Sequence, residues 1–360
     1  MGSTTKIEWT DATWNPILGC SRVSEGCRNC YAERLASRFK TGPYEGLAQI
    51  VNGQPQWTGR INKTKKLLEP LKWKPVLDYV EDGGDQGADI NHYRPRRIFV
   101  NSMSDLFHEN VTPAQIAKVF AVMALSDGHI FQILTKRPVQ MHGLLTLKAF
   151  RLLVADWIDD LAEKIWCAMG TWSDLVRVGN NWPLPNVWLG VSAENQATAD
   201  ERIPLLLQTP AAKRFVSCEP LLGPVSLRWK NSTDFGTPCP RHKFPVPCAD
   251  GTVITDEYDG LRELDWVICG GESGPGARPM HPDWARSLRD QCRAAGVPFF
   301  FKQWGEWWPN DQGYFRGSPE SGYQCAYDEP GQEFTRLGKK SAGALLDGRE
   351  WKEFPEVSRG

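Results

Sequence analysis

An α/β fold on a parallel sheet, a partial or full (β/α) TIM-like barrel with inserted segments, is what this 360-residue sequence predicts. Three observations predict it. Short, continuously apolar runs recur along the chain, the form taken by parallel strands buried on both faces. Segments with helix-start and helix-stop residues lie between them, so the repeating unit is βα. Almost every apolar run ends in a polar or charged residue, at the edge where parallel sheets gather ligands.

Taken in order, a short Trp14–Gly19 segment precedes a cysteine-rich run, and Thr41–Lys74 is polar enough to be an insertion. RRIFVNS (Arg96–Ser102) then reads as a strand. Pro113–Leu125 follows as a helix, with Thr112 as its N-cap and proline at the first helical position. HIFQILT (His129–Thr135) is the next strand, and Leu144–Leu184 is a tryptophan-bearing helical insertion. NVWLGVS (Asn186–Ser192), a helix over Thr198–Gln208 and KRFVSCE (Lys213–Glu219) continue the alternation. Trp229–Glu263 is loop-like, rich in Pro, Gly, Asp and Thr. LDWVICGGE (Leu264–Glu272), a helix over Asp283–Ala295 closed by Gly296, and VPFFFKQ (Val297–Gln303) complete the pattern. The barrel therefore spans 1–308, with insertions at 41–74, 144–184 and 229–263, and 309–360 reads as an irregular C-terminal extension.

A hydrophobic content of 41% with 24% charged residues is that of a chain with a packed core. The net charge of −1 excludes a whole-protein electrostatic footprint for nucleic acid. It leaves room for local basic clusters, such as Arg94, Arg96 and Arg97 or Lys63, Lys65 and Lys66. No apolar run reaches membrane-spanning length and the N-terminus is no signal peptide, so a cytoplasmic location without membrane contact is expected. In that reducing setting the ten cysteines read as ligands or thiols rather than disulfides. The sixteen tryptophans read mainly as core filling.

Cys20, Cys27 and Cys30 crowd into NPILGCSRVSEGCRNCYAE. Three thiolates do not complete a structural zinc site, which takes four protein ligands. They suit three irons of a [4Fe–4S] cluster, leaving the fourth iron open for chemistry. The strand ends add Ser102, Ser104 and Asp105, then Thr135, Lys136 and Arg137, then Ser192, Glu194 and Asn195. Cys218 and Glu219, then Glu272 with Arg278 in the glycine-rich GGESGPGARP, and finally Lys302 and Gln303 complete the set. Glu219, Glu272, Arg278 and Gln303 are the candidates to face a substrate, with Trp304 and Trp307 placed to stack a base. Helix caps and ordinary tight turns are the bland alternative for each of them. Cys239, His242 and Cys248 are a weaker, irregularly spaced metal candidate.

The cysteine run resembles the cluster-binding segment of radical S-adenosylmethionine (SAM) enzymes, particularly the spore photoproduct lyase-like branch. NSMSDLFHE, ILTKRP and LGVSAEN are similar to later motifs of that branch. Through FVSCEPLLGPV, WVICGGESGPGARPM and FFFKQWGEW, the chain also resembles an uncharacterised phage and prophage family with a three-cysteine motif. The resemblance implies a radical SAM-type barrel carrying a [4Fe–4S] cluster on Cys20, Cys27 and Cys30. It further implies SAM held by Ser102, Ser104, Asp105, Lys136, Ser192 and Glu194. Lys136 and Ser192 would take its carboxylate, Ser102 to Asp105 its ammonium and Glu194 its ribose. The implied activity is a radical SAM-type lyase or transferase that cleaves SAM reductively and acts on a nucleic acid or nucleotide, in repair or modification. Its partner would be an electron donor such as flavodoxin or ferredoxin. Two departures stand out: six residues separate Cys20 from Cys27 where the family has three, and Asn29 replaces the aromatic usually found before the third cysteine. A non-catalytic iron–sulfur module that recognises DNA or a partner protein is the second expectation. A zinc hydrolase is the third, weakened by six histidines with no HxH or HExxH pair.

Overall fold

A computed structural model describes residues 5–79, 91–166, 182–227, 260–312, 325–328 and 332–356. The chain forms two compact units. The first comprises Met1–Ser21, Ala32–Leu189 and Pro210–Ala212, and the second Arg22–Tyr31, Gly190–Thr209 and Lys213–Gly360.

Seven parallel strands are hydrogen-bonded to their neighbours in chain order. They are β1 (Ala12–Trp14), β2 (Arg96–Val100), β3 (His129–Thr135), β4 (Val187–Ser192), β5 (Lys213–Cys218), β6 (Trp266–Gly270) and β7 (Phe299–Gln303). With helices between them they give the expected α/β partial TIM-like fold. Strand β4 begins in the first unit and ends in the second.

In the first unit, β1 pairs with β2 (Ala12 opposite Ile98) and β2 with β3 (Arg96 opposite His129). Trp14 and Phe131 are fully buried and meet edge to face. Helix α1 (Tyr31–Ala36) follows the cysteines and lies mostly in this unit. Helix α2 (Pro113–Ala124) starts as expected, on a capping box in which Thr112 and Gln115 satisfy each other's backbone N–H. It packs against α4 (Lys148–Trp166), which follows the shorter α3 (Pro138–Leu145).

The opening strand differs from expectation. The sheet strand is Ala12–Trp14, not Trp14–Gly19, because Pro16 has no N–H for a ladder and the backbone carbonyl of Asn15 accepts from the Thr64 hydroxyl, while its side-chain oxygen accepts from the Met103 N–H. The chain then leaves the sheet, and Ile17–Leu18 pair with Asn62–Lys63 of the inserted segment. The basic cluster before β2 is largely internal: Asp11 binds both terminal nitrogens of Arg94 and the backbone N–H of Arg97.

In the second unit, Cys218 of β5 lies opposite Cys269 of β6, and both are buried with Cys292 of α6 (Pro282–Ala295). Burial pushes all three thiols above their ordinary pKa, as expected of packing cysteines. Helix α5 (Gln196–Gln208) begins before the expected Thr198 because Asn195 is the cap and Thr198 its N3 partner. Among the described C-terminal residues, regular structure is present. Trp307–Pro309, Gln332–Arg336 and Cys325–Asp328 form an antiparallel sheet, and Leu345–Leu346 pairs with Arg349–Glu350 across Asp347-Gly348, both at positive φ. That dipeptide is a strong two-residue hairpin signal.

Among the described residues no helix is long and apolar enough to cross a membrane. Cys239, His242 and Cys248 lie outside the described residues, as does most of the 229–263 segment.

Candidate functional site

In the first unit, the ends of β2 and β3 grip the segment that leads into Cys20. The Ser102 hydroxyl and the Asn15 amide bond each other reciprocally, and the Ser104 hydroxyl donates to the Ile17 carbonyl. Gly19 donates its N–H to Met103. It sits at φ +98, and an added Cβ would collide with the Arg60 carbonyl, so only glycine fits there.

Arg137 then meets Cys20 itself. Its guanidinium is almost fully buried and donates all five N–H groups. Nε reaches Glu109 (2.9 Å), and one terminal nitrogen reaches Asp105 (3.1 Å) and the Cys20 sulfur (3.7 Å). The other reaches the Ser21 carbonyl (3.2 Å) and hydroxyl (2.6 Å). Burial opposes its charge, but Asp105, Cys20 and Glu109 hold its pKa above the ordinary arginine value.

The Ser21 hydroxyl donates in turn to Glu109 and contacts Nε2 of His108 at 3.0 Å. Nδ1 of His108 accepts from the Asn110 N–H, so the neutral ring carries its proton on Nε2. Burial and Arg137 both lower the His108 pKa. Burial raises the carboxyl of Glu109, yet its own backbone N–H, Ser21 and Arg137 prevail and bring it to about 2.

Asp105 is buried, with both oxygens occupied from within the chain. Oδ1 accepts from the Phe107 N–H and the Thr135 hydroxyl, and Oδ2 from the Lys136 N–H and Arg137. It fixes the turn after β3, which presents the half-buried Lys136.

In the second unit, the turn from Ser24 to Cys30 is closed by Cys27 N–H donating to Ser24 and Cys30 N–H donating to Cys27. Two carboxylates from strand ends hold it. Glu194, 1% exposed, accepts from the Ser24 hydroxyl at 2.7 Å and from Arg202 at 3.1 Å. Glu272 accepts from the Asn29 amide and from Nε, one terminal nitrogen and the backbone N–H of Arg278. Arg278 also donates to the Glu25 carbonyl. Burial raises the Glu272 pKa, but Arg278 and Asn29 bring it below the usual carboxylate value. GGESGPGARP thus clasps the cysteine turn with its acid and its base.

The remaining candidates divide. Ser192 is buried at the end of β4, where its carbonyl accepts from Arg202. Glu219 pairs with Lys302 at 3.0 Å across Gly270, whose missing Cβ leaves room for Glu219 Oε1. Gln303 is buried and donates to the Gly271 carbonyl. Trp304 is fully buried, its indole N–H on the Leu345 carbonyl, so it fills core rather than stacking a base. Trp307 donates to the Ala277 carbonyl.

Sequence reasoning named Arg137 and Lys302 only as strand ends and passed over Ser21, His108 and Glu109. A signal existed: an arginine two residues past a buried strand, next to a proline, needs acidic partners, and SDLFHE supplies two of them four residues apart.

Cys20, Cys27 and Cys30 are all half-buried thiols, the first in one unit and the others in the second. Among the described residues no three His, Cys, Asp or Glu side chains gather to hold a single metal ion. A cubane takes one thiolate per iron, so its donors need not meet at one ion. The chemistry of the donors suits such a cluster: each is a soft sulfur, Cys27 and Cys30 stand on the turn from Ser24 to Cys30, and a guanidinium N–H reaches the Cys20 sulfur.

The family described as "Protein of unknown function (DUF5131)" matches residues 4–355. No curated protein matches the chain. Among solved structures it is similar to a cysteine-to-serine mutant of spore photoproduct lyase. The identity is 10% and the TM-score 0.34, with 93% of this chain and 71% of that chain covered.

Proposed function

Because the chain belongs to the DUF5131 family, whose description assigns no activity, we propose a function from its cysteine segment and from that segment's resemblance to radical SAM enzymes. It is a [4Fe–4S] radical SAM-like enzyme that cleaves S-adenosylmethionine reductively to act on a nucleic acid or nucleotide. The observation that carries this proposal is the seat of Cys20, where a buried guanidinium donates to the sulfur from the end of β3. A structural thiol has no need of a charged, fully committed donor. A sulfur that shares the charge of a metal cluster does.

Cys20, Cys27 and Cys30 hold the cluster. When bound, it supplies the single electron that cleaves the SAM sulfonium. Lys136, on the turn pinned by Asp105, takes the SAM carboxylate as an ammonium point charge, with the Ser192 hydroxyl as second donor. The Ser102 and Ser104 oxygens take the SAM ammonium. Asp105 and Glu194 act as positioning residues, the first for the β3 turn and the second for Ser24. Glu219, backed by Lys302, faces the substrate, while Glu272, Arg278 and Gln303 keep the surrounding loops in place. A flavodoxin- or ferredoxin-type protein delivers the electron.

Anaerobic reconstitution tests this directly. Iron and sulfide should load with a charge-transfer band in the visible spectrum, and reduction with SAM should yield 5′-deoxyadenosine and methionine. A loaded, reduced protein that releases neither product overturns the enzyme.

The saturation of Asp105 and Glu272 by partners within the chain favours a second reading, a non-catalytic iron–sulfur module for DNA or a protein partner. It predicts that Lys136→Ala and Ser192→Ala leave binding intact, while Cys27→Ala abolishes cluster loading and binding together.

A further inference from the structure

Arg137 cannot swing away from Cys20 cheaply. Its fork is held on one side by two carboxylates and on the other by the carbonyl and hydroxyl of Ser21, the residue next to the cysteine. Ser21 is itself fixed by Glu109 and His108. The guanidinium is 4% exposed, so solvent and salt screen its field weakly. The whole network lies within the first unit.

We propose that Arg137 is a positioning residue that sets the reduction potential of the cluster ligated by Cys20, through a charge-assisted N–H···S hydrogen bond to that sulfur. This rests on the reading of Cys20 as a cluster ligand. Reduction adds one electron and no proton to a cluster already carrying anionic thiolates. A fixed cation at a ligand sulfur stabilises the reduced form more than the oxidised one and moves the potential upward. Asp105 and Glu109 act in the opposite sense, and Glu109, half exposed, more weakly than Asp105. The device therefore has two signs: losing the cation lowers the potential, and losing a carboxylate raises it.

The test uses the full chain, reconstituted anaerobically as wild type, Arg137→Gln, Arg137→Lys and Glu109→Gln. Iron and sulfide per chain are measured first. Each form is then titrated with dithionite and followed by visible absorbance and by the EPR signal of the reduced cluster. Arg137→Gln should have a midpoint more negative than wild type at equal iron content. Arg137→Lys, which keeps the charge without the fork, should fall between them, and Glu109→Gln should shift the other way. An Arg137→Gln protein with full cluster content and the wild-type midpoint overturns the proposal. Should Arg137→Gln fail to fold or load, Glu109→Gln decides, because it leaves the Cys20 contact in place: no positive shift overturns the proposal. A wild-type chain that takes up no iron and sulfide overturns the cluster reading itself.

Discussion

Gly26 lies against a carboxylate, and an added Cβ would collide with Cγ and Oε1 of Glu194. That contact lets Ser24 reach Glu194, which also holds Arg202 in a pair with both side chains at or below 3% exposure. Removing one partner of such a pair costs roughly 3–5 kcal/mol. Glu194→Gln should therefore lower the urea midpoint markedly, and iron loading should fall with it. Gly26→Ala should cost about 1–3 kcal/mol by overpacking the same spot. A wild-type midpoint for both variants would remove Glu194 as the anchor of the turn. The cysteines were legible as residues, but their anchors were not. A carboxylate at a strand end reads the same in sequence whether it faces a ligand or an arginine. Only the fold reveals that Glu194 and Glu272 turn to the cysteine loop.

Elements were the most legible level, and the cause is chemical. The sequence marks strand β3 at its observed limits because Ile130, Phe131, Ile133 and Leu134 make a dense apolar run with β-branched residues, bounded by Gly128 and Lys136. Helix α2 was read within a residue because proline and a capping threonine mark its start. Thr112→Ala should lower stability by about 1 kcal/mol, read as a shift in urea midpoint without change in slope. Failure to shift would mean that packing on α4 alone fixes the helix start. Where the reading failed, a partner distant in sequence decided. Ile17–Leu18 leave the sheet for Asn62–Lys63, and Gln332–Arg336 is a strand because Trp307–Pro309 waits beside it.

Across the whole molecule, stability should be greatest between about pH 6.5 and 9. Burial lowers the pKa of His129 below 6.5, so the unfolded chain binds the proton first and stability falls as pH drops below 6.5. A second loss follows toward pH 2. Glu109 and Asp347 are brought from 4.5 and 3.8 to about 2, so their stabilisation is present above the unfolded values and vanishes as pH falls through the folded ones. On the alkaline side, Cys218, Cys269 and Cys292 have raised values, and their contribution is complete below 9.0 and lost above it. Urea unfolding across this range should trace that dome, and flat stability from pH 7 down to pH 3 would contradict it. The same thiols divide the chain chemically. Three are sealed in the second unit, whereas Cys20, Cys27 and Cys30 stand partly open to solvent. Among these six described cysteines, peroxide and air therefore attack Cys20, Cys27 and Cys30 first, since sulfur oxidation follows exposure. On the proposed iron–sulfur reading, a chain handled in air keeps its fold and its spectrum of buried tryptophans while losing the thiolates that would take up iron. Correct folding of this protein is thus no proof of its competence.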